Sequence, residues 1–309
     1  MRVVDTHCDA LLKLEEANGT LSFKNSPELD VNLEKLQKGK VKVQAFAIFT
    51  YPSLNTERQW ESIMNQVYYF YYSVLPSSPK LVHIKDWSQL ETLKDDEIGA
   101  MLTLEGVGGL GNDLKRLAIL KQLGIMMLGL TWNDANLAAD GILEPRNGGL
   151  TTLGKKIVAF NNKHQIITDV SHLSERGFWD VIEQADYMIA SHSNSRTICP
   201  HVRNLTDEQI EAIIEKDALI HLVYCPAFVA EKERVTIDDL LKHIDHIASL
   251  GGMSHIGLGS DFDGIGRKVE RLEDASMTVH LVEALLKHYS EDEVKGITSE
   301  NFLRRIPRT

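Results

Sequence analysis

One pattern limits what this chain can become. A short apolar run ends in polar residues, gives way to a segment with helical periodicity, and then recurs along the length of the sequence. The runs are Val3–His7, Val41–Phe49, Ile98–Glu105, Ile125–Thr131, Ile166–Val170, Met188–His192, Ala218–Tyr224 and Ile256–Asp261, eight in all. They are apolar along nearly their whole length, as strands of a parallel sheet covered by helices must be. The segments between them carry helix signals. Thr206-Asp-Glu-Gln209 reads as a capping box opening a helix over Asp207–Lys216, with Ile210, Ile213 and Ile214 on one face. Ser290-Glu-Asp-Glu293 is a similar start. Leu114, Leu117, Ala118 and Lys121 keep helical spacing, closed by Gly124, and Thr236 opens a helix carrying Leu240, Leu241, Ile244 and Ile247.

Eight such units favour a closed (β/α)8 TIM-like barrel. An open doubly wound sheet would call for a glycine fingerprint after an early strand, and none is there. The glycines of Gly106-Val-Gly-Gly-Leu-Gly111 follow the third run and read as a flexible loop rather than a phosphate cradle. A length of 309 residues suits one barrel, and no repeat or linker divides it, so a single domain over 1–309 is expected. The formal net charge of −11 disfavours nucleic acid and anionic membranes as partners, because polyanions demand basic patches. Three cysteines without a C-x-x-C spacing argue against a disulfide framework and a thiolate zinc site. No stretch approaches the roughly 20 apolar residues of a membrane span, and a soluble cytoplasmic protein is expected. The aromatic run Tyr68-Tyr-Phe-Tyr-Tyr72, inside the long stretch Tyr51–Asp96, reads as the packing face of a helix.

In a barrel of this kind the active site gathers at the C-terminal ends of the strands, so the residues there test both fold and function. The ends read His7-Cys8-Asp9, Glu105, Ser171-His172, Ser191-His192-Ser193 and Asp261-Phe262-Asp263. Imidazoles and carboxylates are ligands that zinc accepts. His7 and Asp9 are two apart on an extended chain and face the same side, while Cys8 turns to the barrel wall. Glu105 closes an apolar run and is costly to bury without a partner. His7, Asp9, Glu105, His172 and His192 are too many ligands for one catalytic zinc and suit two ions bridged by Glu105. Two such ions can share a hydroxide and polarise the carbonyl under attack. Asp261 is then the expected proton carrier for the leaving group, and Asp263 is expected to cap the turn before Gly264. Arg203, judged by its neighbours alone, reads as a solvated surface charge.

These residues also resemble the zinc-dependent membrane (renal) dipeptidases, in the manner of a soluble bacterial member. The likeness covers nearly the whole chain and rests on Asp5-Thr-His-Cys-Asp9, Leu104-Glu-Gly106, Asp169-Val-Ser-His-Leu-Ser174, Ala190-Ser-His-Ser-Asn194 and Gly259-Ser-Asp-Phe-Asp-Gly264. Val202-Arg-Asn-Leu-Thr-Asp207 and Asn301-Phe-Leu-Arg304 add to it. The resemblance implies two zinc ions on the same five residues, Asp261 as acid/base group and Arg203 as the partner of the substrate's free C-terminal carboxylate. It also implies dipeptide substrates, including those with a D-residue second, and a homodimer. Membrane attachment is not expected to carry over, since the chain ends in Arg304-Arg-Ile-Pro-Arg-Thr309. Two positions depart from the family. Trp132 stands, within Gly129-Leu-Thr-Trp-Asn133, where relatives carry a histidine that contacts substrate, and Glu300 replaces a glycine. An indole offers one N–H and no charge, so Trp132 is expected either to contact substrate weakly or to wall the pocket. The alternatives are another binuclear barrel hydrolase, acting on lactones, cyclic amides or aminopurines, and a metal-binding scaffold that has lost catalysis.

Overall fold

The computed structural model describes residues 1–308. Nine parallel strands form one sheet: β1 (Val3–Asp5), β2 (Val41–Phe49), β3 (Leu81–Ile84), β4 (Ile98–Glu105), β5 (Ile125–Gly129), β6 (Ile167–Asp169), β7 (Met188–Ala190), β8 (Leu219–Leu222) and β9 (Ile256–Leu258). The order is β2-β1-β9-β8-β7-β6-β5-β4-β3, and an additional β2–β4 pairing closes it into a barrel. All eight expected strands are present, and the closed parallel barrel with helices is the fold the alternation predicted.

The ninth strand was not foreseen. β3 pairs with Ile98–Met101, the lower half of β4, whereas β5 pairs with Leu102–Glu105, the upper half. Since β2 runs along the other edge of β4 from Gly99 to Glu105, β3 and β5 share one edge. β3 fills the part of it that β5 leaves unpaired. Its four residues, Leu-Val-His-Ile, are too few for a periodicity to register. The aromatic run also differs from expectation. Phe70 is fully buried, but Tyr68 and Tyr72 are 55% and 70% exposed and stack on each other with ring centroids 4.8 Å apart.

The helix signals hold. Thr206, Thr236 and Ser290 each open a helix with a reciprocal capping box, and Gly124 ends Leu114–Leu123 at φ 103°, a left-handed conformation glycine adopts without strain. The helices bury their apolar faces against the outside of the barrel, where Leu117, Leu120, Ile210, Ile213, Leu240 and Ile244 join the main core. No helix among the described residues is long and apolar enough to cross a membrane.

The barrel interior is graded. Alternate residues of a strand share a face, so Met101, Thr103 and Glu105 climb the inside of β4 from floor to mouth. Val4, Met101, Ile167 and Ile189 belong to an apolar cluster at the floor, together with Trp87 and Phe302. Thr6, Thr103, Asp169, Ser191 and Glu105 line a small space above it. Apolar residues thus close the N-terminal end, and polar groups collect at the C-terminal end, where the loops that follow the strands converge.

Candidate metal centre and active-site cleft

The backbone aims the polar groups inward where the strands stop. β1 ends at Asp5, whose carboxylate accepts the Ser260 amide (2.8 Å) and hydroxyl (2.6 Å) and the His7 amide (3.3 Å). This ties the His7 loop to the one after β9. His172 and Asp261 take left-handed conformations, φ 69° and 64°, which cost non-glycine residues of order 1–3 kcal/mol each and persist where surrounding structure holds them. Gly264 packs against the carboxylates: a Cβ there would lie 2.3 Å from Asp9 Oδ2 and 2.6 Å from Asp261 Oδ1.

The five residues read from the strand ends, and Asp261 with them, come together. His7 Nε2 lies 3.5 Å from Asp9 Oδ2, 3.7 Å from Glu105 Oε2 and 3.9 Å from Asp261 Oδ1. The other Glu105 oxygen faces the opposite way, with Oε1 2.9 Å from His172 Nε2 and 3.5 Å from His192 Nε2. Glu105 therefore divides its two oxygens between two groups of donors. Within each of two overlapping sets, His7–Glu105–His192 and His7–Asp9–Asp261, one donor atom per residue lies within 4.8 Å of the others.

The electrostatics of this cluster call for a cation. His7 Nε2 is buried without a hydrogen-bond partner, and the Nε2 atoms of His172 and His192 face each other at 2.8 Å. Burial lowers His172 and His192 well below the usual imidazole range and raises Glu105 and Asp261 above the usual carboxylate range. Burial would lower His7 too, but the carboxylates of Glu105, Asp9 and Asp261 outweigh it and push its pKa up to about 10. Converging imidazoles and carboxylates, with one orphaned nitrogen among them, fit divalent zinc.

Further side chains fix the imidazoles. His172 Nδ1 is 2.8 Å from Asn133 Oδ1, which as an acceptor keeps the proton on Nδ1 and leaves Nε2 free to bind. His192 Nδ1 is 2.8 Å from the Ser191 hydroxyl, which donates in turn to Asp169. Asp169 also accepts the amides of Ser171 and Ser191. Sequence reasoning missed Asn133, Ser191 and Asp169 in these roles, although Asn133 follows the Trp132 departure, Ser191 precedes His192 and Asp169 stands three residues before His172. The polar residues that lead into His172 and His192, Asp169, Ser171 and Ser191, were the available signal, and Asn133 had none.

Two expectations are corrected. Asp263 does not cap the turn before Gly264; its carboxylate accepts the amides of Asp30 (2.8 Å) and Val31 (2.9 Å), pairings across 233 and 232 residues that no local pattern announces. Arg203 is not a solvated surface charge, being only 6% exposed. Its guanidinium lies over the Phe228 ring, Cζ 5.5 Å from the centroid. One terminal nitrogen reaches the His192 carbonyl at 3.5 Å, and Nε has no partner. A buried guanidinium without a carboxylate is a costly arrangement unless a ligand supplies one.

Above the donors opens a cleft of about 290 Å³. Asp9, Glu105, His172 and Asp261 form its floor, and Phe49, Tyr51, Trp132, Cys225 and Phe228 are among its walls. Trp132 stands edge-on to Phe49 (5.4 Å between centroids) and 6.0 Å from the His172 ring.

The family model described as membrane dipeptidase (peptidase family M19) matches residues 1–309. The dipeptidase aclJ of Aspergillus oryzae is 28% identical over 306 residues, covering 92% of this chain and 71% of its own length. A second similar protein, the dipeptidase tcpJ of Claviceps purpurea, is 30% identical over 220 residues, 70% of this chain and 52% of that protein. Among solved structures, the metallopeptidase dipeptidase AC superposes with a TM-score of 0.92 at 26% identity, covering 99% of this chain and 98% of its own. A metallopeptidase from Rhodobacter sphaeroides, solved with a phosphinate mimic of the dipeptide L-Ala-D-Ala, has the same fold, with a TM-score of 0.92 at 24% identity and 99% of each chain covered.

Proposed function

From the premise that the chain belongs to the membrane dipeptidase family, peptidase family M19, we propose that it hydrolyses dipeptides with a free C-terminus, L-Xaa-D-Xaa among them, using two zinc ions. The observation that carries this reading is the division of Glu105 between two donor groups, Oε2 toward His7 and Oε1 toward His172 and His192. His7 and Asp9 would hold one ion, His172 and His192 the other, and Glu105 both. Bound there, the ions supply an activated water and polarise the scissile carbonyl.

The chain's own groups do the rest. Arg203 meets the substrate carboxylate, and its planar fork suits a bidentate pair. The lack of a partner at Nε supports this role. That contact fixes the peptide's direction in the cleft, with the scissile bond over the donors and the N-terminal residue beyond them. Asp261, held 3.9 Å from His7 Nε2 and raised by burial, is placed to take a proton and pass it to the departing amine. Trp132 replaces a hydrogen-bonding imidazole with an indole wall, and its edge-on contact with Phe49 supports that part.

The test is the hydrolysis of L-Ala-D-Ala and L-Ala-L-Ala by zinc-loaded protein, with chelated protein in parallel. Turnover that vanishes on chelation and returns with zinc is the expected result. Two bound metals per chain with no turnover on either peptide would sink the dipeptidase reading in favour of another substrate class, or of a scaffold without catalysis.

A further inference from the structure

We propose that Phe49, Tyr51 and Trp132 form a specificity corner for the substrate's N-terminal side chain, and that the preferred substrates are dipeptides whose first residue is apolar or aromatic. This rests on the dipeptidase reading above and names the substrate class within it.

The topology supplies the direction. Phe49 ends β2, with Tyr51 just beyond, whereas Arg203 lies in the loop after β7. In the closed ring β2 and β7 are four strands apart either way round, through β1, β9 and β8 or through β4, β5 and β6. They stand at opposite sides of the barrel mouth. A peptide whose carboxylate meets Arg203, and whose scissile carbonyl lies over the donors between, must send its first residue toward β2. Trp132, in the loop after β5, completes the wall on that side.

The corner is built before any substrate arrives. Phe49 is edge-on to both Tyr51 and Trp132, each with centroids 5.4 Å apart. Tyr51 is 47% exposed although it belongs to this packed set, so its ring offers apolar surface to the cleft. Its hydroxyl donates to Glu16 Oε1 at 2.6 Å, which holds the ring in place. The other Glu16 oxygen lies 3.8 Å from Lys13 Nζ, so both oxygens of this carboxylate are engaged. The corner itself carries no charge to pair with a lysine or glutamate side chain. Aromatic walls held in fixed positions bind apolar groups with little ordering cost.

The experiment is kcat/KM for wild-type holoenzyme on five peptides sharing a C-terminal alanine and differing in the first residue: Leu, Phe, Gly, Lys and Glu. Leu-Ala and Phe-Ala should exceed Lys-Ala and Glu-Ala by roughly tenfold or more, the scale of discrimination by a hydrophobic pocket. The double variant F49A/Y51A should reduce the ratio of Leu-Ala to Gly-Ala toward one. A flat profile, a preference for Lys or Glu, or a ratio unmoved in the double variant overturns the corner while leaving the dipeptidase reading intact. If none of the peptides is cleaved, the dipeptidase reading falls, and calorimetric binding of the same five peptides judges the corner alone. Tighter binding of Leu-Ala and Phe-Ala than of Lys-Ala and Glu-Ala then supports it, and equal affinity overturns it.

Discussion

At the scale of single residues, the donor cluster depends on one atom that is missing. Gly264 has no Cβ, and the space a Cβ would take lies 2.3 Å from Asp9 Oδ2 and 2.6 Å from Asp261 Oδ1. Any side chain there must move both carboxylates or the loop that bears them. Displacements near 1 Å of groups that position a reaction cost about 100-fold in rate. Gly264→Ala should therefore lower kcat/KM on L-Ala-D-Ala by about that factor and reduce bound zinc, measured by metal analysis after dialysis. The fold should survive, because Gly264 faces the cleft and not the core. Normal metal content and normal turnover in this variant would show that the carboxylates are not confined as the geometry implies. Legibility in the sequence follows a rule at this scale. His7, Asp9, Glu105, His172, His192 and Asp261 could be found because each ends a strand, and strand ends in a barrel meet. Arg203 could not be placed without a family resemblance, because nothing near it in the chain reveals that its loop folds over Phe228. Asn133 and Ser191 act only through hydrogen bonds to the imidazoles of other or adjacent residues, which a pattern of residue types does not encode.

Between the residues and the whole stand the elements that hold the loops in place. The helix Ile237–Ser249 carries His243 on its buried face. His243 Nδ1 accepts the Ser195 amide at 3.1 Å, and Nε2 donates to the Val229 carbonyl at 2.9 Å. One neutral imidazole thus clamps the start of the Arg203 loop to the segment bearing Phe228. Protonation of Nδ1 would destroy the bond to Ser195, and burial lowers the His243 pKa to about 4 from an ordinary 6.5. The unfolded chain then binds more protons than the folded one between those values, so stability rises with pH across that window. The contribution is fully present above about 6.5 and is lost as pH falls toward 4, on a scale of about 3 kcal/mol at most. Urea midpoints between pH 7 and 4.5 should fall in the wild-type protein, and His243→Gln should flatten part of that slope while lowering the midpoint at pH 7. An unchanged slope would assign the acid sensitivity to other groups. This helix was legible from Thr236 and the spacing of Leu240, Leu241, Ile244 and Ile247. Its polar bridge was not, because the periodicity that marks a buried face says nothing about a histidine that sits on it.

For the whole molecule, the grading of the barrel interior separates stability from chemistry along one axis. The floor is closed by Phe302, 2% exposed, from the helix Asn301–Arg305. Its ring centroid lies 5.7 Å from His221 and 6.2 Å from Trp87. Apolar residues of β1, β2, β4, β5, β6, β7 and β8 meet it there, at the end opposite the cleft. Barrels of this class keep function at the C-terminal ends of their strands and stability at the other, and the alternation of strands and helices was enough to read which end would be which. The plug itself was beyond that reading, because the closing helix begins 45 residues after the last strand does and its partner Trp87 falls in the stretch where β3 was missed. Truncating a buried phenylalanine costs about 3–5 kcal/mol in transfer and cavity terms. Phe302→Ala should lower unfolding stability by that amount in urea, yet leave kcat/KM on L-Ala-D-Ala within about threefold at 25 °C, where the native state still dominates. A loss of activity as large as that of Gly264→Ala, at a temperature where the variant remains folded, would mean that the floor and the mouth of the barrel are mechanically coupled. The intervening layer of Thr6, Thr103, Asp169 and Ser191 argues against such coupling. Asp169 is fixed by the amides of Ser171 and Ser191 and Thr6 by the Ser191 carbonyl, so the polar layer is anchored to backbone at the strand ends and meets the plug only where the Thr6 hydroxyl pairs with His221 at 2.7 Å.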